Sequence, residues 1–571
     1  MKSYKILGAC IAFLFLVQGP GFCHVHQNKL IDIVNQIKNE IKDVEISSGS
    51  IRQSFSFNET QPWKITFYST KITGKKGNTI EKEFLFNLSD IDINTVRHDT
   101  RKELIFVKLG TEQRQKFIKS YENNELQSYQ SEIEVKAVDV DNAREIERLF
   151  KMAIQVLDKK DLGLPVVATL AEQIEWLEEN VKPINEGKNA IDQSWSKEGD
   201  HPTRCKITTI KEGKKGTETI VRSFNPSDFG SHSISLQVKG TGVFVMMKVR
   251  RNKKFVEVLK DGQRDKYDDR IQINTDDIDK ARSFIHVLEQ LVKNADEKTD
   301  ELLPEDAPLS EALQLLYTSL KAVDAGDKTY AQTIEPKCQT VLEITEKNEK
   351  EDQKNRYFFH FGDMSQNSVT EKVSGKEIHI GFKSDGNENM VQVGELGENP
   401  TYRPDVKIYA AGVENMRTIR QVLPIVLKGC GQQLERELEQ LETTSQRQFE
   451  LLKSMIGNIQ TDRGSRRQSL AQIEESCKWK LAINEENGKK NEEIIWEFNN
   501  KDLNASSLQF NISKKAVFVE VDTRQKEKII KTYKNGTPSS YEAQLQVQVK
   551  DIEEGRKLLT FWKRSIESCS N

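Results

Sequence analysis

Phe86-Asn87-Leu88-Ser89-Asp90-Ile91 and, downstream, Val140-Asp141-Asn142-Ala143-Arg144 decide how this chain is read. The first stretch is a phenylalanine, three residues, an aspartate and an apolar residue. It returns at Phe224…Asp228-Phe229, Phe359…Asp363-Met364 and Phe498…Asp502-Leu503. The second returns at Ile278-Asp279-Lys280-Ala281-Arg282, Val413-Glu414-Asn415-Met416-Arg417 and Ile552-Glu553-Glu554-Gly555-Arg556. The gap from the aspartate to the closing arginine is identical in all four, and the copies themselves are nearly evenly spaced. A gap that never changes predicts one structural unit present four times.

That fixed frame allows other positions to be compared within the chain. Twenty-eight residues after the aspartate stand Ile118, Val256, Val391 and Ile530. Further on stand Ile133, Ile271, Val406 and Leu545, and two places after those Val135, Ile273, Ile408 and Val547. Apolar residues two apart with varied neighbours are the inward face of a strand. Sixteen after the aspartate come Phe106, Phe244, His379 and Phe518, which reads as an aromatic core position with a tolerated histidine in the third copy.

After the last strand the period changes from two to 3.6. Val140, Ala143, Ile146, Leu149, Phe150 and Ala153 share one helical face, and Asp139 and Asp141 suit the start of that helix. Before it lie about six strands, among them 63–70, 79–86, 103–109, 115–121 and 131–138. Helical leaders precede the later copies at 170–181, 310–323 and 433–456. The expected fold is α+β: four tandem repeats, each of leader helices, an antiparallel sheet or partial barrel, and a closing C-terminal helix. The expected boundaries are a signal peptide at 1–21 and repeats at 22–158, 159–300, 301–431 and 432–571. Leu303-Pro304-Glu305-Asp306-Ala307-Pro308 and Gly429-Cys430-Gly431 read as joints.

On this recurring strand-then-helix pattern, each copy resembles the pleckstrin-homology-like superfold, a bent antiparallel sheet plugged by a C-terminal helix. The whole resembles exported multi-repeat proteins of Bacteroidota. The resemblance covers roughly 95 residues of each copy and rests on layout. Six readable strands, where that superfold has seven, are a departure.

The address at the start agrees with export. Lys2 and Lys5 form a basic region, residues 6–17 are mostly apolar, and Gly19 and Gly21 offer a cleavage site. No apolar run reaches the length of a bilayer span, so the mature chain is expected to be secreted or periplasmic, with no transmembrane span. Over 571 residues, 85 Lys and Arg meet 88 Asp and Glu, a net charge of −3, which argues against a dedicated nucleic-acid binder. Charged residues make up 30% and hydrophobic ones 36%, enough for several small cores.

The cysteines follow the repeat. Cys338 and Cys430 are as far apart in sequence as Cys477 and Cys569, and they hold matching places in copies three and four. Two intra-repeat disulfides, Cys338–Cys430 and Cys477–Cys569, are expected, each contributing up to about 4–5 kcal/mol by chain entropy. Trp63 and Leu157 hold these places in copy one, Cys205 and Ala295 in copy two. Cys205 is therefore either a buried thiol or a partner for Cys23.

The recurrent pairs Asp90/Arg144, Asp228/Arg282, Asp363/Arg417 and Asp502/Arg556 are expected to be structural, an ion pair or cap within each copy pinning the closing helix to the turn. Gly-flanked basic turns recur at Lys75-Lys76, Lys214-Lys215 and Lys489-Lys490. They read as solvated hairpin tips, or as anion-binding turns by analogy with phosphoinositide-binding domains of the superfold. No zinc-protease, nucleophile-elbow, P-loop or dinucleotide signature occurs. No catalytic residue, metal or cofactor is expected, and the protein is read as non-enzymatic. The expected role is an exported binding or structural protein of the cell envelope or exterior. Its partner would be a protein or envelope component, with peripheral membrane contact possible and no nucleic acid. Lipid, glycan or small-ligand binding, through a sheet–helix cavity or the basic turns, is the second reading. A third is an enzyme with its site in copy three, around His360, Gly362 and His379.

Overall fold

The computed structural model describes residues 21–570 apart from 75–77, 158–162, 187–188, 200, 214–215, 299–302, 305, 349–350, 395–400, 442–444, 462–463, 474–476, 488–489 and 514. Of the signal peptide read at 1–21, all but Gly21 lies outside the described residues, as do the turn lysines Lys75, Lys76, Lys214, Lys215 and Lys489; of Lys490 only the backbone is described, at the start of a strand.

The first set of elements opens with α1 (Gly21–Glu40). Nine strands follow: β1 (Val44–Ile46), β2 (Gly49–Asn58), β3 (Gln61–Thr73), β4 (Asn78–Asn87), β5 (Arg97–Arg101), β6 (Leu104–Gly110), β7 (Lys119–Glu122), β8 (Glu125–Leu126) and β9 (Glu132–Ala137). They form an antiparallel six-stranded sheet in the order β1-β2-β3-β4-β7-β8 and a three-stranded sheet β5-β6-β9. Helix α2 (Val140–Val156) closes the set, with Asp139 accepting from the Asn142 amide at its N-terminus. Short strands and the fully exposed β5 carry no apolar alternation, so the six strands of the sequence reading become nine.

The same grouping of one six-stranded and one three-stranded sheet occurs four times among the described residues, with the same strand order each time. The fold is mixed α+β. The remaining helices are α3 (Leu170–Asn180), α4 (Ile278–Asp296), α5 (Leu309–Ser319), α6 (Val413–Glu439), α7 (Ser445–Met455) and α8 (Ile552–Ser570). No helix among the described residues is long and apolar enough to cross a membrane.

Two compact units result. One holds residues up to 256 with 260–262 and 269–299; the other holds 257–259, 263–268 and 300–571. In the first set, Phe55, Phe67, Val107, Ile133 and Val135 from both sheets pack with Val34 and Ile37 of α1 and Ile146 and Phe150 of α2. The space between sheet and closing helix is thus filled by side chains. All twelve of the matched apolar positions are buried, none above 3% exposed.

Two readings need correction and one is refined. Phe106 is buried on its strand, 2% exposed, but it packs under Lys136 Nζ, 4.7 Å from the ring centroid, and lies outside the cluster above. Its counterpart His379 packs on Tyr409 in the same manner. Gly429-Cys430-Gly431 is no joint, because α6 runs through it; a Cβ at Gly429 would come within 2.8 Å of Leu309 on α5, so the glycine admits a close helix approach. The leader read at 433–456 is the tail of α6 followed by the separate α7.

Both cysteine pairs are bonded: Cys338–Cys430 and Cys477–Cys569, with Cα atoms 5.3 and 5.9 Å apart. Each ties the start of a strand to a closing helix. Two such bridges fit an oxidising compartment. Cys205 is a buried free thiol beside the Thr203 carbonyl, and burial pushes its pKa far up.

Candidate functional site

The recurrent aspartate ends a strand in a single turn of 3-10 helix. At Leu88–Asp90, the Asn87 side chain accepts from the Ser89 amide at 2.9 Å. Asn225 and Asn499 cap the equivalent turns, and His360 Nδ1 does so in the third set, accepting from Gly362 at 2.9 Å. His360 is thus a cap. Burial and the nearby Arg556 hold its pKa down to about 4, so it stands neutral.

The arginine sits one turn into the closing helix, where a carboxylate three residues back holds it. Arg144 pairs with Asp141 at 3.1 Å, Arg282 with Asp279 at 2.7 Å, Arg417 with Glu414 at 2.6 Å and Arg556 with Glu553 at 2.5 Å. The second partner overturns the expected pairing within copies. Arg282 bonds Asp90, and Arg556 bonds Asp363. The helix of one set reaches the turn of the set before it. The constant spacing of aspartate and arginine fits either partner, because the frame repeats.

Each ion pair lies at a groove between a sheet and the next closing helix. The groove of about 570 Å³ is lined by Phe86, Asp90, Phe117, Tyr129, Ile278 and Asp279 among others. Lys64 bonds Asp279 at 2.9 Å, and Lys119 Nζ and the Tyr129 hydroxyl donate to the Asp276 carbonyl at 3.0 and 3.2 Å. Arg282 stacks over Phe117, 5.5 Å from the centroid. The corresponding groove, about 620 Å³, is lined by Phe359, His360, Asp363, Met390, Ile552 and Arg556. Burial pushes Asp90 and Asp363 up to about 6, against the opposing pull of their arginines. Their side chains are 8% and 9% exposed, so neither carboxyl presents itself to a substrate in water.

Two features escaped the sequence reading. A tyrosine stands at one fixed place after every aspartate: Tyr129, Tyr267, Tyr402 and Tyr541. The constant frame contained that signal. A glutamine also bridges the two sheets of every set. Gln53, Gln193, Gln332 and Gln468 each accept from the backbone N–H and donate to the C=O of one residue: Lys136, Asn274, Tyr409 and Gln548, at 2.6–3.0 Å. Each also donates to a carbonyl just after the leader helix.

Among the described residues no three His, Cys, Asp or Glu side chains cluster to hold a metal ion. Compared with known protein families, curated proteins and solved structures, the chain finds no match.

Proposed function

We propose that the chain is four tandem copies of one module with a pleckstrin-homology-like layout, exported by its N-terminal leader. It works as a non-catalytic binding or structural component of the cell envelope or exterior, akin to the exported multi-repeat proteins of Bacteroidota. The observation that carries this reading is the fate of the recurrent charges. Asp90 and Asp363 are buried against arginines of the following copy, so the residues with the most chemical potential are spent on joining modules. Such a use supports assembly rather than turnover. Tandem modules suit avidity, since each raises the effective concentration of the next for a multivalent partner. The two disulfides support an oxidising destination.

Native mass spectrometry of the mature protein purified from its own host tests this. A protein or envelope component retained intact and lost on denaturation is the expected result. A small lipid, glycan or metabolite retained in its place would overturn the reading in favour of a ligand carrier.

A further inference from the structure

The joint made by Arg282 on Asp90, and again by Arg556 on Asp363, has two faces. The tail face carries the aspartate, an apolar residue (Phe117 or Met390) and the fixed tyrosine. The head face is the first turn of a closing helix, with an apolar residue, an acid and the arginine. At both joints the two faces cover each other. Tyr129 and Tyr402 are 2% and 5% exposed, Ile278 and Ile552 7% and 8%. The side chains of Arg282 and Arg556 are 21% and 8% exposed.

One more face of each kind is uncovered. At the start of α2, Val138 and Val140 are 44% and 39% exposed, and the side chains of Asp141 and Arg144 are 91% and 65% exposed. In the fourth set, Ile529 and Tyr541 are 42% and 53% exposed. Beside them Asp502 ends the turn that Asn499 caps. Val140 stands where Ile278 and Ile552 stand, and Tyr541 where Tyr129 and Tyr402 stand. Val140 and Tyr541 are thus exposed where Ile278, Ile552, Tyr129 and Tyr402 are buried.

We infer that a second copy of this chain fills these faces, head to tail. Arg144 of one molecule reaches Asp502 of the next, and Val140 seats against Ile529 and Tyr541. The Val138 carbonyl takes the place of the Asp276 carbonyl, offering an acceptor to Tyr541 and Lys531 as the latter does to Tyr129 and Lys119. The occupant follows from continuity with the joint already built into the chain, and from the opposite charges of Arg144 and Asp502, which stand where Arg282 and Asp90 stand in a joint that is made. The two surfaces differ, so the contact is heterologous and propagates from chain to chain instead of closing on a two-fold axis. This inference rests on the four-module reading proposed above.

Sedimentation velocity on the purified full chain tests it, together with the charge reversals Arg144→Glu and Asp502→Arg. The wild-type protein should associate with rising concentration. Each variant alone should remain monomeric, because its head and tail then carry like charge. An equimolar mixture of the two should regain association, since every face again meets its opposite. Unchanged thermal midpoints would confirm that both substitutions leave the fold intact. A wild-type chain that is monomeric up to ~1 mM, beyond the weak end of specific association, overturns the inference. So do variants that associate as well as wild type, or a mixture no more associated than its components. An envelope partner found by native mass spectrometry would survive that failure; a bound small molecule on a chain that polymerises would sink the functional reading and leave this one standing.

Discussion

Asp90 and Asp363 are carboxyls that the fold makes hard to ionise. Burial raises both to about 6, well above the unfolded value near 3.9. A group raised in this direction holds its proton more tightly in the native state, so its contribution to stability grows as pH falls through about 6 toward 4 and is lost as pH rises. Asp90→Asn fixes the neutral form and removes that titration. The stability of wild type minus that of the variant, from urea denaturation, is expected to grow by about 1–3 kcal/mol between pH 7 and pH 4.5. A difference that stays flat would mean the Arg282 ion pair outweighs burial. His360 runs the other way. Its pKa is lowered to about 4 from about 6.5, so the native state resists the proton, and its contribution is full above about 6.5 and is lost as pH falls toward 4. His360→Asn supplies the cap acceptor that Asn87, Asn225 and Asn499 supply in the other sets, with nothing to titrate. That variant is expected to fold, and its thermal midpoint should fall less than that of wild type between pH 7 and pH 5.

Elements are held together by backbone groups that find partners outside their own ladders. Gln193 is 2% exposed and pairs with both backbone groups of Asn274. Gln193→Leu would keep the volume and strand those groups away from water. The expected loss is about 2–4 kcal/mol, read by equilibrium unfolding, because each buried unpaired group costs about 1–3 kcal/mol. Gln193→Glu keeps the acceptor for the Asn274 N–H but loses the donor. It should fall between Gln193→Leu and wild type. This seam was illegible in the sequence because it lies outside the constant frame. The stretch from glutamine to the following aspartate changes length from set to set, longest from Gln53 to Asp90 and shortest from Gln332 to Asp363. Inside the frame, by contrast, Ile118, Val135 and their counterparts were legible as core from their spacing alone. β5 was illegible because all five residues are exposed and nothing alternates. The recurrence of Asp and Arg was plain, but which arginine meets which aspartate depends on how one helix lies over the preceding turn. Glycine misled at residues 429–431, where it serves close packing: a Cβ on Gly362 would stand 2.9 Å from the Cys430 carbonyl.

At the scale of the molecule, the two compact units are stapled differently. Both bridges belong to the second, and each closes a loop of 92 residues. In the first unit the matching positions are apolar or unbridged: Trp63 and Leu157 pack against the core, and Cys205 and Ala295 are buried. A bridge acts largely on the unfolded chain, so its removal should destabilise the unit that contains it without altering native packing elsewhere. Replacing Cys477 and Cys569 together by Ala is therefore expected to destabilise the second unit by about 2–5 kcal/mol and leave the first unchanged. Calorimetry reads the transitions, and limited proteolysis during heating assigns them, with cleavage expected first in residues 300–571. If both transitions shift equally, the units unfold as one cooperative block and the bridge stabilises the whole chain. If neither shifts, the α8 and α7 packing around Trp479 and Trp562 already suffices for that core. The bridges would then give no thermodynamic reason for the chain to need an oxidising compartment.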